Sequence, residues 1–156
     1  MADCKTSPTL FQSGVTLTTS CTSPPVNPSL YRQLVGSLLY LTHTRPDISF
    51  AVGLVSRFSQ DPHESHWKAA KRILRYIKGT VRFGIQYTVG TPELVGFTDS
   101  DWVGSVDDCK STSGFVYHFG SAPIAWSCKK QSAIALFSAE AKYHAIVLAS
   151  QEVLWL

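Results

Sequence analysis

The hydrophobic period of the chain changes near Thr80, and this change limits the folds that the chain can adopt. From Leu30 to Ile77, apolar residues recur every three to four positions, which is the spacing of amphipathic helices. From Val81 to Tyr87 they alternate with other residues, which is typical of a half-buried strand. We therefore predict an α+β chain in which a helical part precedes a part built on a β-sheet.

Three helices are predicted before the change of period. The first begins with Asn27 as its cap and Pro28 at its first helical position. It stops ahead of Pro46, because the residue before a proline disfavours the helical conformation, and Pro46 opens the second helix. The third helix starts after Pro62 and ends at Gly79, a typical C-terminal stop. The helical segment is therefore placed at residues 27–80.

The remaining sequence is assigned to a lead-in and to a sheet-containing part. Residues 1–26 are rich in Ser, Thr and Pro, so we expect a loosely ordered lead-in. Residues 81–156 form the sheet-containing part. Its end, Glu152 to Leu156, is apolar and lies in mid-helix, so we expect a domain that is cut short there.

The third helix carries a basic face opposite its apolar one. The five cations of this face follow at helical spacing: Lys68, Lys71, Arg72, Arg75 and Lys78. Such a face is either a solvated surface or a surface that contacts the phosphates of a nucleic acid. The net charge of +3 permits nucleic-acid binding without requiring it.

The sheet-containing part reads as a meander followed by a helix. Gly120-Ser121 and Lys129 to Gln131 are predicted to connect antiparallel strands, and Ser138 to cap an Ala-rich helix that runs to the last residue. The strands are expected at residues 81–87, within 94–102, at 115–119, at 122–127 and at 133–136, the last continuing or pairing with the one before it.

Two carboxylates end the strand at residues 94–102. Asp99 and Asp101 are two positions apart, so on an extended chain they lie on the same side. They are either turn residues that terminate a strand or ligands of a divalent cation. Glu140, in the first turn of the last helix, has two interpretations as well. It either interacts with the helix dipole or faces Asp99 and shares its cation.

Composition limits the class of protein. In 156 residues with 44% apolar side chains a sizeable core is expected. The four cysteines form no CxxC pair and are interpreted as free thiols. No apolar stretch reaches the length of a membrane span, and the N-terminus lacks an apolar signal core. We therefore expect an intracellular protein, cytoplasmic or nuclear, with no membrane partner.

Several ordered motifs resemble those of the copia-type retrotransposon Pol polyprotein. The resemblance covers roughly residues 30–156. The motifs are Tyr31–Leu41, Thr44–Ile48, Ala69–Thr80, Asp99–Trp102, Lys110–Phe115, Trp126–Gln131 and Ser138–Ala141. This resemblance implies that residues 27–80 belong to the end of a reverse transcriptase, in its thumb or connection region. It implies that residues 81–156 are the N-terminal part of a ribonuclease H-like domain.

The resemblance also implies a fold and a chemistry. The family's ribonuclease H domain is a mixed sheet flanked by helices, which predicts a three-helix segment followed by a truncated ribonuclease H-like mixed sheet with a flanking helix. The family hydrolyses the RNA strand of RNA–DNA hybrids, using two Mg²⁺ ions held by four acidic residues. Asp99 matches the first acid and Glu140 is the candidate for the second, so both are candidate catalytic residues and metal ligands.

This chain departs from the family pattern at one position. Where the family usually reads Glu-Ala-Glu-Tyr, the chain reads Glu140-Ala141-Lys142-Tyr143. One alignment places the second acid at Glu140, and the other places it at Lys142, where a cation would weaken Mg²⁺ binding. The remaining two acids have no counterpart here, so we expect the chain to be inactive alone.

Two other functions stay open. The basic helix, together with Trp102 and Trp126, could bind a hybrid or duplex without cutting it. The chain could also be a degenerate remnant of an element. The expected partners are an RNA–DNA hybrid or other nucleic acid, and the rest of the polyprotein.

Overall fold

A computed structural model describes residues 4–12 and 14–156. The chain folds as two compact units that divide between Gly84 and Ile85. In the described residues, helices come first and a three-stranded sheet with one helix follows. The predicted α+β class and its order of helices before sheet are therefore confirmed.

The described residues of the first unit form three α-helices and a short 3₁₀ turn. Helix α1 spans Pro28–Leu41, the 3₁₀ turn Pro46–Ile48, α2 Ser49–Ser56 and α3 Glu64–Gly79. As predicted, Asn27 caps α1: its side-chain oxygen accepts hydrogen bonds from the backbone N–H groups of Ser29 and Leu30, at 2.9 and 3.3 Å. The prolines and Gly79 set the ends of the other elements, since proline can begin a helix but not continue one.

The core of the first unit lies between these helices. Tyr31 is fully buried, and its hydroxyl donates a 2.7 Å hydrogen bond to the Val55 carbonyl, which joins α1 to α2. Burial without this partner would leave a costly unsatisfied hydroxyl. The other buried apolar residues of the helices, among them Ile48 and Ile73, surround it.

The described part of the lead-in contains no helix or paired strand, but it packs along α3. Leu17 is buried in the core of the unit, and the Ser7 N–H donates to the Arg75 carbonyl at 3.2 Å. The Glu64 N–H at the start of α3 donates to the Pro24 carbonyl at 2.9 Å. Residues 1–3 and 13 of the predicted lead-in lie outside the described residues.

A buried arginine joins two distant parts of the first unit. Arg45 is 5% exposed and forms two 2.8 Å hydrogen bonds to the carboxylate of Asp47. It also donates to the carbonyl and the hydroxyl of Thr80, at 3.0 and 2.8 Å. The turn before α2 is thereby tied to the C-terminal end of α3.

The second unit is an antiparallel sheet covered by one helix. Strand β1 spans Leu94–Ser100, β2 Thr112–Phe119 and β3 Ala122–Lys130, in the order β1-β2-β3. Helix α4, Ser138–Val153, packs on β1 and β2. Phe115 and Tyr117 of β2 are buried against Ala149 of α4. The predicted turn at Gly120-Ser121 is confirmed, and Gly120 adopts a positive φ of 61° there.

Three details of the predicted sheet are wrong. Residues 81–87 form no strand, and Val81 and Phe83 are 73% and 62% exposed. Residues 133–136 form no strand either. Lys129 and Lys130 make no turn: they continue β3 and pair with the first residues of β2.

Candidate functional site

The C-terminal end of β1 lies beside a lysine of α4. Lys142 Nζ is 3.8 Å from Asp99 Oδ1, and the two side chains are 61% and 77% exposed. The Thr98 hydroxyl lies 2.9 Å from the Gly114 carbonyl oxygen and 3.2 Å from that of Ala145, so it bridges β1 to β2 and to α4. This bridge fixes the turn of α4 that carries Lys142 next to the end of β1.

Glu140 has a different contact. One carboxylate oxygen accepts a 2.6 Å hydrogen bond from the Leu136 N–H, in the segment that leads into α4. The helix begins at Ser138, so the carboxylate also lies in the first turn, where the helix dipole favours a negative charge. The structure therefore joins Lys142 to Asp99, and Glu140 to the backbone at the start of α4.

Asp101 is hydrogen-bonded to Thr112, at the end of the loop that follows β1. Its carboxylate accepts a short hydrogen bond from the Thr112 N–H, and its own N–H donates to the Thr112 carbonyl at 3.2 Å. A side chain at Gly104 would overlap the Asp101 carboxylate, so glycine permits this close approach. These contacts agree with the turn interpretation of Asp101.

A second ion pair holds the same loop against β3. Lys130 Nζ lies 2.6 Å from Asp108 Oδ2 and 3.3 Å from the Ser105 hydroxyl. Burial alone would raise the pKa of Asp108, but hydrogen bonds from Lys130 and Ser105 outweigh it and lower that pKa to about 2.

Replacement of Asp108 by Asn should change how stability depends on pH. The folded-state pKa lies below the unfolded value of about 3.9, so the ionised carboxylate stabilises the fold above pH 4, and this contribution is lost as the pH falls towards 2. We expect Asp108→Asn to be less stable than the wild type at pH 7 and equally stable near pH 2. Urea unfolding across this range measures the difference. Glu93→Gln, which removes an exposed carboxylate, is the control, and a difference that persists at pH 2 would contradict the prediction.

The basic face of α3 is present, and its first two cations have partners within the helix. Lys68 Nζ is 3.0 Å from Glu64 Oε1, one helical turn earlier, and both side chains are exposed. Lys71 Nζ lies 4.8 Å from the centre of the Trp67 ring. These contacts leave both ammonium groups at the surface.

The other cations of this face contact the lead-in. Arg72 donates to the hydroxyl and the carbonyl of Thr9, at 2.7 and 3.2 Å, and Lys78 donates to the Cys4 carbonyl at 2.8 Å. The Arg75 carbonyl accepts a backbone N–H of the same segment. The Thr9 and Cys4 groups that accept these hydrogen bonds are neutral.

Sequence reasoning missed the role of Gln131. This residue is 9% exposed, and its side-chain amide donates 2.8 Å hydrogen bonds to the Ser113 hydroxyl and the Ala141 carbonyl. It therefore ties the strands to the turn of α4 that carries Lys142. No spacing rule identifies this residue, because its partners come from two distant segments.

The arrangement around Asp99 does not fit a magnesium ion. Mg²⁺ is held by carboxylates and water, whereas the charged group paired with Asp99 is an ammonium. Within residues 4–12 and 14–156, no three His, Cys, Asp or Glu side chains are grouped so that they could hold a metal ion. Glu140, the acid in the first turn of α4, accepts a hydrogen bond from the backbone.

Comparison with known proteins identifies the family. The chain is 46% identical over 131 residues to the retrovirus-related Pol polyprotein from transposon RE1 of Arabidopsis thaliana, covering 83% of this chain and 9% of that protein. It is 42% identical over 127 residues to the Pol polyprotein from transposon TNT 1-94 of Nicotiana tabacum, covering 81% of this chain and 10% of that protein. The chain belongs to the copia-type retrotransposon Pol family.

A shorter relative is matched over most of its length. The secreted RxLR effector protein 161 of Plasmopara viticola is 44% identical over 128 residues, covering 81% of this chain and 90% of that protein. By contrast, the chain spans about a tenth of the Pol polyproteins.

No protein-family model and no solved structure matches this Pol-family chain significantly. Among the described residues, none of the helices combines the length and the apolar character that a membrane span requires.

Proposed function

We propose that the chain spans the end of the reverse transcriptase region and the beginning of a ribonuclease H-like domain of a Pol polyprotein, and that alone it does not hydrolyse nucleic acid. The contact between Lys142 and Asp99 carries this proposal. The carboxylate that matches the first acid of the family has a cation beside it where the reaction requires further carboxylates. Cleavage of an RNA–DNA hybrid with Mg²⁺ is therefore assigned to the family and not to this chain in isolation.

Two observations support the proposed domain assignment. The matched segments of the RE1 and TNT 1-94 polyproteins cover both units of this chain at more than 40% identity. The second unit also presents Asp99 in the last part of a strand, next to a helix that packs on the same sheet. In the family that the motifs resemble, the first acid lies at the end of a strand and the second lies at the start of a helix.

A cleavage assay tests the proposal. A labelled RNA–DNA hybrid is incubated with the full chain and Mg²⁺ or Mn²⁺, next to the Asp99→Asn variant. We expect no cleavage by either protein, while circular dichroism shows that both are folded. Cleavage by the wild type that Asp99→Asn abolishes would overturn the proposal. The family's acids that have no counterpart in this chain would then be dispensable for cleavage.

We propose binding of nucleic acid as the activity that the chain retains. The basic face of α3 favours it, because five cations occupy one stripe of a single helix. Backbone phosphates would contact this stripe through charge, with little preference for sequence. An RNA–DNA hybrid is the ligand that the family resemblance suggests.

Removal of two surface cations should weaken this binding. Lys68→Gln combined with Lys71→Gln removes ammonium groups whose partners lie within α3, so the contacts with the lead-in stay intact. We expect the affinity for a hybrid to fall about tenfold, and the dependence of log affinity on log salt to become shallower by roughly 1–2. Fluorescence anisotropy at several salt concentrations measures both quantities.

The matched control removes the same charge elsewhere. Arg82→Gln combined with Lys129→Gln lowers the net charge equally, and both side chains are exposed outside α3. This variant should bind nearly as tightly as the wild type. Equal losses in the two double variants would show attraction by net charge alone and would exclude a specific role for the face.

A further inference from the structure

We infer that the Lys142 ammonium takes the place of a divalent cation at the end of β1 and keeps such ions away from Asp99. This inference rests on the proposed ribonuclease H-like role of Asp99 for the choice of ion. Lys142 Nζ lies 3.8 Å from Asp99 Oδ1, so the carboxylate already has a positive partner. An approaching Mg²⁺ would lose water and meet a like charge, with no second carboxylate to compensate for either.

The fold fixes the backbone of α4 on both sides of Lys142. Thr98 connects the end of β1 to the Ala145 carbonyl, and Gln131 donates to the Ala141 carbonyl, so α4 is held on both sides of residue 142. Asp99 is paired with Gly114 in the sheet, which fixes the backbone of the other partner. The side chain at position 142 therefore projects from a well-defined place beside Asp99.

Lys142 Nζ is 3.8 Å from Asp99 Oδ1, so a side chain at position 142 reaches the surroundings of this carboxylate. A Mg²⁺ ion would bind the carboxylate oxygen more closely, at about 2.0–2.1 Å. A shorter glutamate at position 142 would end nearer to α4 and leave room for an ion between the two carboxylates. The structure thus assigns position 142 as the residue that decides whether this site binds a metal.

Titration with metal alone tests the inference. Mn²⁺ is added to the full chain and its binding is followed by electron paramagnetic resonance, with Mg²⁺ competition by calorimetry. The wild type should show no binding that depends on Asp99. Lys142→Glu should bind Mn²⁺ at least about tenfold more tightly than the wild type, because two carboxylates then face one ion. Adding Asp99→Asn to Lys142→Glu should remove this gain.

Two further variants separate the causes. Lys142→Gln removes the ammonium without adding a carboxylate, so its Mn²⁺ affinity should rise less than that of Lys142→Glu. Lys129→Glu makes the same change of charge at another exposed position and should leave the Mn²⁺ affinity unchanged. Since Lys142 is largely exposed, these variants are expected to fold, and circular dichroism checks this.

Each contrary result overturns the inference. The first is Mn²⁺ binding by the wild type that Asp99→Asn abolishes. The second is an unchanged Mn²⁺ affinity in a folded Lys142→Glu variant. The third is a higher Mn²⁺ affinity of Lys142→Glu that persists when Asp99→Asn is added. The titration contains no nucleic acid, so its outcome is independent of the hybrid-binding measurement. A chain that fails to bind the hybrid would refute the retained binding activity and leave the metal result intact.

Discussion

Replacement of Arg45 by Met is expected to lower the free energy of unfolding of the first unit by about 2–3 kcal/mol. The guanidinium is 5% exposed and makes hydrogen bonds to Asp47 and Thr80. Methionine fills a similar volume but removes the guanidinium, so the Asp47 carboxylate keeps only the hydrogen bond from the Tyr76 hydroxyl and the Thr80 carbonyl only that from the Phe83 N–H. Loss of one partner of a fully buried pair costs about 3–5 kcal/mol, and the lower figure reflects that Asp47 is 35% exposed.

Amide exchange measured on α1 and α3 during urea unfolding reports on this unit separately from the sheet. Arg32→Met is the control, because it removes an exposed arginine of α1. Arg45→Lys should recover only part of the loss, since an ammonium cannot reproduce the two parallel hydrogen bonds of the guanidinium. Equal stability of Arg45→Met and Arg32→Met would show that the buried contacts contribute nothing.

The same substitution should shift the titration of Asp47. The hydrogen bonds from Arg45 lower the pKa of Asp47 and outweigh its partial burial. Without the guanidinium this pKa rises, so the carboxylate would become protonated at a higher pH than in the wild type. The carboxyl carbon signal of Asp47 in NMR spectra follows this change directly.

Replacement of Gly96 by Ala should destabilise the second unit by about 2–4 kcal/mol, the sum of overpacking and of one weakened buried hydrogen bond. A Cβ at Gly96 would overlap the ring of Tyr117 on the neighbouring strand. That ring is 8% exposed, and its hydroxyl donates a 2.8 Å hydrogen bond to the Ala149 carbonyl. Moving the ring would therefore disturb the packing of α4 on the sheet.

Urea unfolding followed by amide exchange in β2 and α4 measures this loss. Gly90→Ala is the matched control, because a Cβ at Gly90 would meet nothing within 4 Å. A double variant tests the cause. In a Tyr117→Leu background, which frees the space, Gly96→Ala should cost clearly less than in the wild type. If Gly96→Ala lowers stability equally in both backgrounds, the cause lies in the backbone of β1 and not in the overlap with the Tyr117 ring.

Local signals in the sequence account for most of the helices. Asn27 with Pro28, Pro46 and Gly79 act through their own backbone preferences, so they mark helix ends without reference to the rest of the chain. The alternating pattern at residues 81–87 misled the prediction. Alternation reports that a segment has two different faces, but it does not report whether another strand pairs with it.

The candidate site was predictable in part. A polar pair after a run of apolar residues placed Asp99 at the end of a strand, because that pattern is local. The sequence offered Glu140 and Lys142 as two alternatives for the residue opposite Asp99 and could not choose between them. They are two positions apart on one helix, so the choice depends on how α4 is rotated against the sheet.

The sequence by itself determined the order of helices and sheet, the start of α1, the C-terminal end of α3, the basic stripe of α3 and the family of the chain. Each of these depends on neighbouring residues or on an ordered set of motifs. The tertiary structure alone decided that the described lead-in lies along the basic stripe and that Lys142 is the partner of Asp99. These contacts join residues that are far apart in sequence, and packing sets their geometry: the hydrogen bonds of Thr98 and Gln131 fix the position of α4.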